Sequence, residues 1–149
     1  MTPDVNVLVA ASRSDHPHHV VALNWLHTAL APTNSAGKLS ILSTVLASFL
    51  RLVTHRKIFQ SPTPMPQALA FVDALLAQPG VRLLGMEGEW PTLRQLCEEK
   101  QLAGNQLPDA WIAAAAIRHQ QILVTFDRDF KALLPVPLLL LLLPTPQAS

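Results

Sequence analysis

Apolar residues along the chain fall into two rhythms that alternate: short unbroken runs, and longer stretches spaced every three or four residues. Ile122-Leu-Val-Thr-Phe126 is a run rich in branched side chains, the pattern of a strand buried on both faces. Leu39 to Leu42, Val81 to Met86 and Leu138 to Leu143 read as further strands. Met1 to Val9 reads as a short strand that gives out near Asp4 and runs into an apolar turn or helix, with Pro3 weakening any central-strand placement. The helical rhythm appears in Val20, Val21, Leu23, Leu26 and Leu30, predicting a helix from about Pro17 to Ala29. It returns in Val45, Leu46, Phe49, Leu50 and Val53, predicting a helix capped by Ser43 or Thr44. Gln67 to Ala77, stopped by Pro79-Gly80, and Pro91 to Gln101 give two more. Residues 31–37 and Ser61 to Pro66 read as loops. From Pro108, a residue suited to a first helical turn, the alanine-rich AWIAAAAI predicts a helix that is apolar nearly all round and therefore buried.

Strands and helices in this alternation predict an α/β fold with three α/β/α layers and a mainly parallel central sheet. A chain of 149 residues suits one domain, 1–149, in which 137–149 supply the final strand and a short tail.

Composition narrows the picture. Only 14% of residues are charged and half are hydrophobic, which argues against disorder and for an apolar surface that a partner or second copy covers. A net charge of +1 supplies no global attraction to nucleic acid, so any such binding requires a local patch. The single Cys97 excludes an internal disulfide and a cysteine zinc site, as suits a reducing cytoplasm. No basic-then-apolar leader opens the chain, and the six leucines of 138–143 fall well short of the ~20 residues of a membrane helix. No membrane association is expected.

The candidate chemistry lies in the aspartates. Asp4 stands near the end of the first strand, Asp127 just beyond the fourth, and Asp109 in the first turn of the helix that feeds the fourth. Ligands of open parallel sheets bind outside the carboxyl ends of the strands. If the first and fourth strands are neighbours, these carboxylates meet there and repel unless a cation neutralises them; an all-oxygen donor set favours Mg²⁺ or Mn²⁺. Metal-assisted phosphodiester hydrolysis is the matching reaction class. Each acid also has a plainer use: Asp109 as a helix-start acid, Asp127 as the cap of a short helix Arg128–Leu134, Asp4 as a turn acid. His16, His18 and His19 lack partners spaced to complete a zinc set, and Pro17 among them marks a helix entrance.

Four segments together resemble a known family. Asp4-Val-Asn-Val-Leu-Val-Ala10, Phe49-Leu-Arg-Leu-Val-Thr-His55 with Ile58-Phe59, Gly104-Asn105 through Leu107-Pro108-Asp109-Ala110, and Leu123-Val-Thr-Phe-Asp-Arg-Asp-Phe130 are similar, in order and over nearly the whole chain, to the PIN-domain ribonucleases of the VapC toxin type. The resemblance implies a Mg²⁺-dependent endoribonuclease toxin of the prokaryotic cytoplasm. It would be usually dimeric, paired with a VapB-type antitoxin, and would cut structured RNA such as tRNA or rRNA. It also implies Asp4, Asp109 and Asp127 as catalytic metal ligands with Asp129 as a further acid, and Asn6 and Thr125 as polar neighbours that orient them.

The chain departs from the family's usual pattern in one respect. A glutamate is usual on the helix predicted over 43–53, whereas all four glutamates here lie between Glu87 and Glu99, and Ser48 or Ser43 takes the place. A weakened domain that binds antitoxin or RNA without efficient turnover is therefore the alternative. Arg51 and Arg128 are the leading candidates for RNA contacts, with His55, Arg56 and Lys57 as a basic helix exit. Arg51, set within an apolar face, is expected to make a specific hydrogen bond or ion pair. Trp111 is expected in the core. A phosphotransferase using Asp127-Arg-Asp129 fits poorly, because that motif belongs on a first strand.

Overall fold

The computed structural model describes residues 1–33, 39–135 and 139–145. In order, the elements are β1 (Thr2–Pro3), α1 (Val5–Ser12), α2 (His19–Leu30), β2 (Leu39–Leu42), α3 (Ser43–Val53), α4 (Met65–Leu76), β3 (Val81–Leu84), α5 (Trp90–Lys100), α6 (Gln106–Arg118), β4 (Leu123–Thr125), a one-turn 3-10 helix (Arg128–Ala132) and β5 (Leu140–Leu142). They form the expected three-layer α/β/α fold.

Every strand pairing is parallel. β1 lies beside β4 with Thr2 opposite Leu123 and Pro3 opposite Val124, β4 lies beside β5, and β2 beside β3. β1 is thus the end strand of the β1-β4-β5 ladder, with β2 alongside its other edge, and Pro3 marks that edge as the sequence suggests. The hydrogen bonds explain how it is accommodated. Thr2 and Asp4 donate their N–H groups to Ile122 and Val124 on the β4 side, at 2.9 and 2.8 Å. Pro3, between them, presents its nitrogen to the β2 side, where a missing N–H removes one rung. A single bond from Ser40 N–H to the Met1 carbonyl, 2.9 Å, joins that side, and the sheet is divided there into β1-β4-β5 and β2-β3 portions.

The apolar stretch after Asp4 is a full helix, with Val7, Leu8, Val9, Ala10 and Ala11 buried. α1 packs on α2 and α3, α3 on α4, and α5 on α6. β2 and α3 have the predicted limits, but Leu42 stands at the cap and neither Ser43 nor Thr44 caps the helix. α6 is buried along Ala110 and Ile112 to Ala116, as its composition requires. Trp111 departs from expectation: it faces outward, 46% exposed, because the alanines already fill the contact with the core. The last strand is shorter than predicted and only half-buried, with Leu141 exposed. Part of the loop read over 31–37, Pro137 and Leu138 of the last run, and the tail beyond residue 145 fall outside the described residues.

Candidate active site at the end of the parallel sheet

Pairing of β1 with β4 brings the two ends of the chain together, and Thr125 fastens them. Its hydroxyl donates to Asp4 Oδ2 at 2.8 Å, and accepts from Asn6 Nδ2 at 3.0 Å and from the Asp127 backbone N–H at 3.0 Å. One donated and two accepted bonds use the full capacity of a hydroxyl, so its position is fixed. Asn6 Oδ1 in turn accepts from the Phe126 N–H at 3.3 Å. Asp4, 4% exposed, caps α1 by accepting from Val5 N–H at 2.7 Å. Asp127 caps the 3-10 helix, accepting from the Asp129 N–H at 2.9 Å. The plain capping uses of both acids are therefore real, and they hold the carboxylates at the strand ends.

Asp109 stands half-buried in the first turn of α6, without a hydrogen bond or ion pair among the described residues. These acids act on each other through space. Burial pushes the Asp4 carboxyl up to about 6, against the opposing pull of the Thr125 and Val5 hydrogen bonds, and the charges of Asp109 and Asp127 raise it further. Asp109 is likewise raised, by burial first and then by Asp127 and Asp129. The result is a negative cleft whose acids form no ion pair among the described residues.

The PIN domain family matches residues 1–133. Ribonuclease VapC31 of Mycobacterium tuberculosis is 42% identical over 134 residues, which cover 85% of this chain and 88% of that protein. This chain belongs to the VapC ribonucleases of the PIN-domain family. Ribonuclease VapC43 of the same organism is 38% identical over 128 residues, 85% of each chain. Among solved structures, VapBC2 of Rickettsia felis, bound to a promoter DNA fragment, superimposes with a TM-score of 0.68 at 23% identity, covering 96% of this chain and 98% of that one. VapC20 of M. tuberculosis, a sarcin-ricin loop cleaving toxin, gives 0.63 at 19%, covering 88% and 92%. Both likenesses support the fold.

Not every residue expected from the VapC resemblance joins the cleft. Asp4, Asn6, Thr125 and Asp127 form one hydrogen-bonded group, and Asp109 and Asp129 are coupled to it by charge. Asp129 is exposed. Ser48, at the place of the usual glutamate, is half-buried on α3 and makes no side-chain hydrogen bond among the described residues. Arg51 is exposed and has no partner among the described residues, contrary to its expected hydrogen bond or ion pair, because it lies on the outer side of α3, away from the buried face of Val45, Phe49 and Val53. Arg128 is exposed beside Asp129, next to the cleft.

Oxygen-only donors, two of them raised by burial and then by the charges of neighbouring acids, suit a hard divalent cation. Among the described residues no three acids or histidines gather into a ready-made cage. Mg²⁺ does not need one, since it keeps several waters and takes one or two carboxylates.

Sequence reasoning missed Arg13, the best-satisfied cation among the described residues. Buried to 7% exposure, it donates to both Asp15 carboxylate oxygens, to the Ser61 carbonyl and to the Thr63 hydroxyl, and lies 3.8 Å from the Phe59 ring centre. The histidines serve local structure too. His18 N–H donates to His16 Nδ1, His19 Nδ1 pairs with the Ala10 carbonyl, and the His18 ring stacks on Phe126.

Proposed function

We propose that this chain is a Mg²⁺-dependent endoribonuclease, with Mn²⁺ able to substitute, that hydrolyses phosphodiester bonds of structured RNA of the tRNA or rRNA class. It would be the toxin of a type II toxin–antitoxin pair, held inactive in the prokaryotic cytoplasm by a VapB-like antitoxin. The observation that carries the reading is Asp4, its carboxyl raised by burial and further by the charges of Asp109 and Asp127, tied through Thr125 to the exit of β4 in a chain of the VapC family.

Asp4, Asp109 and Asp127 would hold the cation, with Asp129 at the rim. When bound, the ion lowers the pKa of a coordinated water and offsets the charge that develops on the phosphoryl oxygens. The protein's own part is positioning. Val5 N–H and Thr125 fix Asp4 in one orientation, Asn6 fixes Thr125, and Asp109 projects from the mouth of α6, where the helix dipole favours negative charge. Arg128 stands beside the acids as an exposed contact for a flanking phosphate. The exposed apolar face of α5 and α6 supports a homodimer.

Cleavage of tRNA and rRNA fragments by the purified protein in Mg²⁺ or Mn²⁺ tests the reading. Asp4→Asn and Asp109→Asn are expected to lower the rate by about 10²-fold or more. Undiminished cutting by both variants would sink the proposal.

The lack of a glutamate on α3 and of a preformed cage favours a second reading, a weakened domain that binds without efficient turnover. Calorimetry separates them: Mg²⁺ binding with no cleavage of any RNA would favour the binding module.

A further inference from the structure

Beside Asp109 opens a recess of about 920 Å³, with Asn105 and Gln106 on the α6 side and Arg128, Asp129 and Lys131 on the side of the 3-10 helix. Two features of its walls go beyond what the acids explain. The first is the placement of the cations. A 3-10 helix has three residues per turn, so residues three apart eclipse; Arg128 and Lys131 therefore share one side, about 6 Å apart along the axis. That is comparable with the step between successive phosphates of an RNA strand. Both are exposed, and neither forms an ion pair among the described residues although Asp109 and Asp129 line the same recess.

The second feature is Asn105. It occupies the cap position of α6, yet its backbone is helical (φ −67°, ψ −7°) and its side chain makes no capping bond. An asparagine there ordinarily spends its oxygen on the helix. Gln106, by contrast, does use its carbonyl, accepting from Ala103 N–H at 3.1 Å. The Asn105 amide keeps both a donor and an acceptor at the wall of the recess, the pair of groups that matches a base edge.

We propose that this recess carries a single RNA strand past the acids, with Arg128 and Lys131 holding successive phosphates on one wall and Asn105 hydrogen-bonding the edge of an unpaired base on the other. The assignment of RNA rests on the proposed nuclease function. Duplex RNA hides its base edges in a deep major groove, whereas an unpaired base offers them freely, so a loop or tail is the form the recess can read.

The test is fluorescence anisotropy with labelled oligoadenylate and oligouridylate of about 12 nucleotides, across a series of KCl concentrations in EDTA. Each of Arg128→Ala and Lys131→Ala should weaken binding and reduce the slope of log K against log[KCl] by about 0.7, the loss of one phosphate contact on a single strand. Asn105→Ala should keep the slope and shrink the affinity difference between the two probes. Wild-type slopes in both cation variants, an undiminished difference in Asn105→Ala, or no binding by the wild type would each overturn the proposal. Because EDTA removes divalent metal, the result is read whether or not the protein cuts RNA. Failure of cleavage in Mg²⁺ and Mn²⁺ would strike the nuclease reading alone.

Discussion

Asp4 is held in the fold in a form it resists. An aspartate whose folded pKa stands at about 6, against an ordinary 3.8, binds its proton more tightly in the native state than in the unfolded chain. Native stability is therefore favoured at low pH, declines as pH rises from about 4 through 6, and stays reduced above that, by on the order of 2–3 kcal/mol. Asp4→Asn should accordingly raise the urea midpoint of the metal-free protein at pH 7.5, with the gain vanishing near pH 4. Mg²⁺ should stabilise the wild type at pH 7.5 and leave the variant unchanged. A variant less stable than wild type at pH 7.5 would refute this account of the carboxyl. Thr125 supplies a second prediction. Thr125→Val keeps the shape of a buried residue but strands Asp4 Oδ2, Asn6 Nδ2 and the Asp127 N–H, and should destabilise by about 2–4 kcal/mol and depress activity. Thr125→Ser should restore most of both, which separates the hydroxyl from the methyl group.

At the scale of elements, Arg13 joins the end of α1 to the loop between α3 and α4 through hydrogen bonds to Ser61 and Thr63 and the Phe59 face, while two further bonds to Asp15 orient it. Arg13→Met is expected to lower stability by about 2–3 kcal/mol in denaturant unfolding, and Arg13→Lys to rescue little, because an ammonium cannot reproduce the planar fork. Full rescue by lysine would show that charge alone matters. Nothing near Arg13 in the sequence announced this role, since Ser61 and Thr63 lie about fifty residues further on. Local signals were readable where local physics decides. The run at β2 changes to a helical rhythm at Ser43, and structure changes there; Asp109 stands one place after Pro108, and does enter the first turn of α6. Pro3 is a fair warning, since β1 is only Thr2–Pro3 and its ladder runs to β4 and not to β2. The sequence could not say which side that ladder would take. Arg51 misled because the face of α3 that meets the core is the narrower set Val45, Phe49 and Val53.

For the molecule as a whole, exposed large apolar side chains are scattered, but three of them, including two tryptophans, gather on one face. Trp90, Leu107 and Trp111 are 63, 40 and 46% exposed and share one recess with Leu93 and Cys97 across α5 and α6. Arg94 and Glu98, paired at 2.8 Å on the same helix, edge it and could exchange partners across a two-fold axis. A dimer through this face is expected in light scattering at micromolar concentration, with Trp90→Ser/Trp111→Ser shifting the mass to that of a monomer; an unchanged dimeric mass would place the interface elsewhere. No helix of the described residues is long and apolar enough to cross a membrane. The fold also unites acids from the beginning and the last third of the chain, and the claim on which the function depends is that one divalent ion occupies the space they share. Anomalous diffraction from a crystal soaked in Mn²⁺ measures this directly. The account predicts a peak within coordinating reach, about 2.0–2.2 Å, of Asp4 and at least one of Asp109 and Asp127, lost in Asp4→Asn. A cleft without a peak at saturating Mn²⁺, or an ion bound with Asp4 uninvolved, would contradict it.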